Sequence, residues 1–191
     1  MAVLARYVGW GGLPQVFERS YEYEPQFISA EAKKEHRERE ALARVGEDLK
    51  ELLPEDEFEA ARASTVAAHY TSETVVRGMW NLARHLGFRG GDVLEPSVGT
   101  GNFLGMAPDD VAESTRFRAV ELDPTTARIA TLLYPRESIS EGGFEDEIIP
   151  DNSMDVAIGN PPFDVKINDE RYGDKAILSH DYFFMKSMDK V

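Results

Sequence analysis

Chemistry-bearing residues cluster at three short stretches of this 191-residue chain. The sharpest signal is Ile158-Gly159-Asn160-Pro161-Pro162-Phe163. Two prolines fix φ and remove two backbone donors, leaving stiff carbonyl acceptors, and Asn160 adds a side-chain carbonyl. A planar, weakly nucleophilic amine suits such a loop. The Asn160 side-chain oxygen and the Pro161 backbone carbonyl each take one N–H, and Phe163 stacks on the ring that carries the amine. Acceptors on both N–H groups raise electron density at nitrogen as charge develops in attack on a methyl donor. Neither a metal nor a covalent nucleophile is required.

The second stretch is Leu94-Glu95-Pro96-Ser97-Val98-Gly99-Thr100-Gly101-Asn102-Phe103, where a strand hands over to a helix. Gly99 and Gly101 let backbone N–H groups approach a ligand closely. The spacing is not that of a dinucleotide fingerprint, because Leu104 stands where the third glycine belongs and Gly105 comes one late. No Gly-Lys-Ser/Thr is present, so the turn is not a phosphate-binding P-loop. Glu95 would repel a phosphate and attract an ammonium group. The third stretch, Val120-Glu121-Leu122-Asp123-Pro124, closes the next strand. A carboxylate about 20 residues beyond a glycine turn can accept both hydroxyls of a ribose. Glu121 is the better placed, while Asp123 is the alternate or else caps the helix that begins at Pro124. The second and third stretches together describe a nucleoside with a positively charged amino-acid tail. Each has a plainer reading when taken alone: a rigid turn, an ordinary strand-to-helix turn and a solvated strand end.

The elements that must position these residues alternate. A helix capped by Ser29 has a solvated face from Lys33 to Leu52 that includes His36, and a shorter helix, Glu55–Arg62, follows the break at Leu53-Pro54. Thr71 is expected to cap a helix from Ser72 to about His85 with an apolar stripe of Val75, Val76, Met79, Trp80, Leu82 and Leu86. Strands are expected at Asp92–Glu95, Phe117–Leu122, Ser138–Glu141 and Met154–Ile158. Helices are expected after the glycine turn, from Pro124 to Leu133 and from His180 to Met188. This pattern implies a parallel α/β sheet, doubly wound and Rossmann-like, with its last strands lacking. The expected domains are an N-terminal loop and helical extension over residues 1–64, with Trp10 covering a core edge, and a sheet domain over 65–191.

Composition narrows the classes. With 21 Lys and Arg against 35 Asp and Glu the formal net charge is −14, which opposes a stand-alone nucleic-acid binder. The absence of cysteine excludes thiolate zinc sites, disulfides and a Cys nucleophile. No apolar run approaches the roughly 20 residues of a membrane span, and Met1–Trp10 has no long apolar core followed by a small-residue cleavage site, so secretion is not expected. No His spacing suggests a metal site.

Glu95-Pro96-x-x-Gly99-x-Gly101 followed by Asn160-Pro161-Pro162-Phe163 resembles the S-adenosylmethionine-dependent amino-methyltransferases, specifically the DNA adenine-N6 class. The resemblance covers residues 65–191 well and the first 65 loosely. It implies S-adenosylmethionine as cofactor, with S-adenosylhomocysteine as product, and a cytoplasmic enzyme of a bacterial or phage-infected cell. Asn160, Pro161, Pro162 and Phe163 would be catalytic. His69-Tyr70-Thr71-Ser72 resembles the segment that closes over the methionine moiety, which places Tyr70 and Thr71 at the cofactor. The implied cofactor site continues through Glu95, Pro96, Gly99, Gly101, Asn102 and Phe103, then Glu121, holding the ribose, and Leu122. Phe144 would lie against the adenine ring with Glu145 or Asp146 near its amine, and Asn160 would complete the site. Ser179–Phe184 resembles the aromatic segment after the catalytic loop. The stretch Tyr7–Gly12 resembles the lead-in of large phage- or plasmid-borne methylase–helicase proteins, which implies helicase or other C-terminal domains as partners. The family's later strands and target-recognition domain are missing, so DNA as substrate would be engaged through a region outside this chain. Glu95 replaces the commoner Asp, and Phe163 the commoner Tyr or Trp.

Cytosine-C5 methylation needs a Cys nucleophile, and cytosine-N4 enzymes usually carry Ser in place of Asn160. Enzymes that methylate guanine N2 of RNA or protein glutamine share the same loop and stay open. So does a catalytically inactive cofactor-binding or interaction module.

Overall fold

The computed structural model describes residue 16 and residues 30–55, 58–59, 62, 71–163, 165–173 and 175–191, with the side chains of 30–33, 35 and 39 excluded. Tyr70, His69 and the Tyr7–Gly12 stretch lie outside the described residues. The chain forms two compact units, Gly9–Ala68 and His69–Val191 with the first eight residues.

Helix α1 (Ala30–Leu52) dominates the described part of the smaller unit. Its exposed Lys34–Glu38 pair and the neighbouring His36–Glu40 pair, each four residues apart, fit a solvated face. Glu55, Phe58, Glu59 and Arg62 are helical, and the rest of that expected short helix lies outside the described residues.

The larger unit runs α2 (Glu73–His85), β1 (Gly91–Glu95), α3 (Asn102–Gly105), α4 (Asp109–Ala112), β2 (Thr115–Glu121), α5 (Pro124–Leu133), β3 (Ser138–Glu141) and β4 (Val156–Ala157). A two-strand antiparallel ribbon, β5 (Lys166–Ile167) and β6 (Ile177–Leu178), then leads into α6 (Ser179–Lys190). The four-stranded sheet has the order β3-β2-β1-β4, and every pairing is parallel. Both faces are covered. Val93, Phe117 and Ala119 point to one side and pack with Val76 and Trp80 of α2, Phe103 and Leu104 of α3 and Ala130 of α5. Leu94 and Val120 point to the other and pack with Phe144, Tyr182 and Phe183. This period-2 split between two apolar layers is the signature of a doubly wound sheet.

Several local expectations are corrected. Ser72, not Thr71, stands at the N-cap of α2, with extended φ −64° and ψ 148°, and its side chain makes no capping bond. Its carbonyl accepts the N–H groups of Val75 and Val76, so the helix starts one residue late. The buried stripe of α2 is narrower than expected. Val76 and Trp80 are buried with Met79 and Ala83 beside them, whereas Val75, Leu82 and Leu86 are exposed. The spacing 76, 79, 80, 83 is one helical face, and the other three positions fall off it. Strand β2 begins at Thr115, two residues early. Strand β4 is shorter than Met154–Ile158, although Asp155 and Ile158 extend its hydrogen bonds to Asp92 and Leu94. The β5–β6 ribbon was unanticipated because two-residue strands carry no periodicity.

Candidate functional site

The order β3-β2-β1-β4 reverses direction between β1 and β4, and ligands of open parallel sheets bind beyond the carboxyl ends at such a reversal. Glu95 ends β1, Glu121 ends β2, and the Asn-Pro-Pro-Phe loop follows β4 by two residues. All three stretches singled out from residue chemistry therefore lie at the same edge of the sheet.

The glycine turn is held from three sides. Gly99 and Gly101 have φ of 56° and 88°, a region where a side chain strains the backbone. At Gly101 a Cβ would also run into the ring of Tyr134. The Val98 N–H donates to the Val120 carbonyl at 2.9 Å and the Gly101 N–H to the Val98 carbonyl at 2.9 Å. Trp80, fully buried, donates its indole N–H to the Phe103 carbonyl at 2.9 Å. The Asn102 side-chain amide donates to the Thr71 carbonyl at 3.4 Å, which places Thr71 beside the turn.

Glu121 is already engaged. Its Oε2 accepts the Gly99 N–H at 2.8 Å and its Oε1 accepts the Asp123 N–H at 2.9 Å. A carboxylate offers about four lone-pair sites, so both oxygens retain capacity for a ligand. Burial raises its affinity for protons, and the Asp123 and Gly99 N–H groups pull the other way. Asp123 takes the alternate role foreseen for it. Its Oδ2 accepts from the Thr126 N–H at 2.7 Å and the Thr126 hydroxyl at 2.6 Å, capping α5 with Pro124 in the first turn.

Glu95 is 1% exposed, and among the described residues its Oε2 has no hydrogen-bond donor. Burial, and then the charge of nearby Glu121, push its carboxyl well above the ordinary range. A Cβ on Gly159 would sit in ordinary contact, 3.5 Å from Glu95 Oε1 and 3.5 Å from Pro96, so the head of the Asn-Pro-Pro-Phe loop lies against the Glu95-Pro96 corner. An orphaned buried carboxylate oxygen beside a second carboxylate is a feature a cationic group satisfies.

The Asn-Pro-Pro-Phe loop is half-buried from Gly159 to Pro162, whereas Phe163 is 48% exposed. The Phe163 ring lies tilted beside His180, with centroids 6.2 Å apart. Ser97 donates to the Asn160 carbonyl at 3.0 Å, and Ser179 donates to the Pro162 carbonyl at 2.7 Å. Both serines lie in stretches singled out from the sequence, the glycine turn and the Ser179–Phe184 segment, but neither was itself a candidate site residue, because no spacing rule ties them to the loop.

Phe144 differs most from the expectation of a ring open to a ligand. It is 2% exposed, tilted against Phe183 at 5.1 Å and edge-on to Tyr182 at 6.2 Å, with the Lys186 ammonium 4.9 Å from its centroid. Buried Lys186 also donates to the carbonyls of Phe144 at 2.6 Å and Glu145 at 2.9 Å, so this segment is anchored through its backbone. Glu145 and Leu122 are exposed. Among the described residues no group of three or more acidic or His side chains could hold a metal ion, and no helix is long and apolar enough to cross a membrane.

No family model matches the chain. Over 155 residues it is 28% identical to the defense against restriction protein B of Escherichia phage P1, a match that spans 78% of this chain and 7% of that protein. Two solved structures share its architecture. One is described as a modification subunit of a type I restriction enzyme from Vibrio vulnificus, with TM-score 0.55 and 19% identity over 86% of this chain and 37% of the other. The second is described as a class I S-adenosylmethionine-dependent methyltransferase from Listeria monocytogenes, with TM-score 0.53 and 16% identity over 63% of this chain and 42% of the other. At such identities the likeness is one of fold: the larger unit has the Rossmann-like sheet of these methyltransferases.

Proposed function

We propose that the larger unit carries the cofactor and catalytic part of an S-adenosylmethionine-dependent methyltransferase acting on the N6 amine of adenine in DNA. The observation that carries this reading is the apposition of Gly159, at the head of the Asn-Pro-Pro-Phe loop, to buried Glu95 at the sheet reversal. Support for DNA comes from neighbours named for restriction and modification. Support for adenine comes from the loop's asparagine and fixed carbonyls.

Glu95, Gly99, Gly101 and Glu121 would hold the cofactor, which supplies a methyl group on a sulfonium when bound. Glu121 would offer its remaining lone pairs to the ribose, and Glu95 would face the ammonium end. The Asn160 side-chain oxygen and the Pro161 carbonyl would each accept one N–H of the target amine, and exposed Phe163 would stack on its ring. The crowding of two carboxylates matches a cofactor with positive charge at its amino-acid end.

A net charge of −14 favours a second reading, an inactive cofactor-binding module. Incubation with methyl-labelled S-adenosylmethionine and DNA, with and without adenine, separates the two. The enzyme reading expects label in N6-methyladenine. Asn160→Ala should lower the rate by about 10²–10³-fold while cofactor affinity holds. Cofactor binding with no transfer to adenine, even when a DNA-recognition partner is supplied, would overturn the enzyme reading in favour of the module.

A further inference from the structure

We infer that Ser97 and Ser179 are positioning residues that clamp the two peptide planes flanking the Pro161 carbonyl, so that of the three backbone carbonyls of the loop this one is presented to an incoming amine N–H. The inference deepens the reading proposed above and rests on it for the identity of the amine.

The argument is one of torsional freedom. The proline rings fix φ at 161 and 162, so beyond φ of Asn160 the loop to Pro162 keeps three soft torsions, the ψ angles of its three residues. A donor on the carbonyl of residue i fixes the plane of the peptide that follows it, and hence ψ of residue i. Ser97, in the turn after β1, donates to the Asn160 carbonyl at 3.0 Å. Ser179, the first residue of α6 and fully buried, donates to the Pro162 carbonyl at 2.7 Å. Ser179 is itself fixed, because its N–H donates to the Val165 carbonyl at 2.7 Å. Only ψ of Pro161 is left, and the planes on either side of it are anchored to different elements, one beyond β1 and the other on α6. Among the described residues no donor reaches the Pro161 carbonyl. Pro162, the residue after it, has no N–H to lend. Two of three successive carbonyls are therefore occupied by hydroxyls, and among the described residues no donor takes the middle one. Had the serines merely satisfied buried acceptors, there would be no reason for the middle carbonyl to be the one left over.

The test labels the backbone carbonyls of asparagine and proline with carbon-13 in the full chain and adds adenosine. N6,N6-dimethyladenosine, which has no N–H to donate, serves as control. The expected result is a shift of the Pro161 carbonyl by adenosine and not by the control, with Asn160 and Pro162 unmoved. In Ser97→Ala and Ser179→Ala that shift should weaken. The kcat for methyl transfer should fall roughly tenfold to a hundredfold at near-constant cofactor affinity. Ser97→Thr, which keeps the hydroxyl, should restore both. Ser97 is only half-buried, so its variants remain informative if Ser179→Ala fails to fold. An unchanged shift and kcat in Ser97→Ala would overturn the inference, as would a shift at Asn160 or Pro162 instead, or no shift with any amine. A Pro161 shift produced by guanosine or glutaminamide rather than adenosine, still weakened by the serine variants, would uphold the clamp and overturn the adenine reading.

Discussion

Glu95 and Glu121 show how two carboxylates at neighbouring strand ends acquire different properties. Glu121 has two backbone donors, while among the described residues Glu95 has an orphaned oxygen and no compensating cation. The sign of the pH effect follows. Below the ordinary glutamate value of 4.5 the folded and unfolded forms both hold the Glu95 proton. Above it the folded form keeps the proton longer, so stability falls as pH rises through the raised value. Glu95→Gln cannot ionise. Its melting temperature should exceed the parent's by a margin that widens between about pH 5.5 and about pH 8, as scanning calorimetry would record. A constant margin would contradict the assignment. Glu121→Ala removes two backbone bonds and the acceptor expected at the ribose. Titration calorimetry should show cofactor affinity weakened by about 1.5–3 kcal/mol.

At the scale of elements, the residues that set backbone freedom are readable from the sequence. Gly99 and Gly101 open the left-handed region and the Pro161-Pro162 pair fixes φ, so the turn after β1 and the loop after β4 are legible one residue at a time. Trp80, Ser179 and Lys186 act across 23, 17 and 42 residues of chain, and no local pattern predicts such partners. Phe144, placed at the adenine by the resemblance, packs against Tyr182, Phe183 and Lys186 of α6, about 40 residues away, and no local pattern shows that cover. Two substitutions probe the turn. Gly101→Ala should destabilise by roughly 1–2 kcal/mol from the left-handed backbone, and by more from the Tyr134 ring. Denaturant titration in a Tyr134→Ala background should recover the second part and leave the first. Trp80→Phe leaves the Phe103 carbonyl without its donor and should cost about 1–3 kcal/mol by the same measurement.

Charge and chain order govern the whole molecule. At −14 the chain alone should bind a random duplex more weakly than the 10⁻⁴–10⁻⁶ M typical of non-specific binders at physiological salt, a point that fluorescence anisotropy checks. Tighter binding would show that a local basic surface outweighs the net charge. Both ends of α6 grip the segment around β4. Ser179 holds the Pro162 carbonyl, while the carbonyls of Asp189 and Lys190 accept the N–H groups of Asn152, Ser153 and Met154. The buried Lys190 ammonium meets Asp151 at 2.6 Å, where Arg171 and Lys190 hold the Asp151 carboxyl down at about 2. The ribosome delivers β1, β2 and β3 before any of these fasteners. A polypeptide arrested in synthesis just past Phe163 would carry Ser97 but lack Ser179 and the α6 carbonyls, so one of the two hydroxyls on the loop and the anchors of residues 152–154 would still be to come.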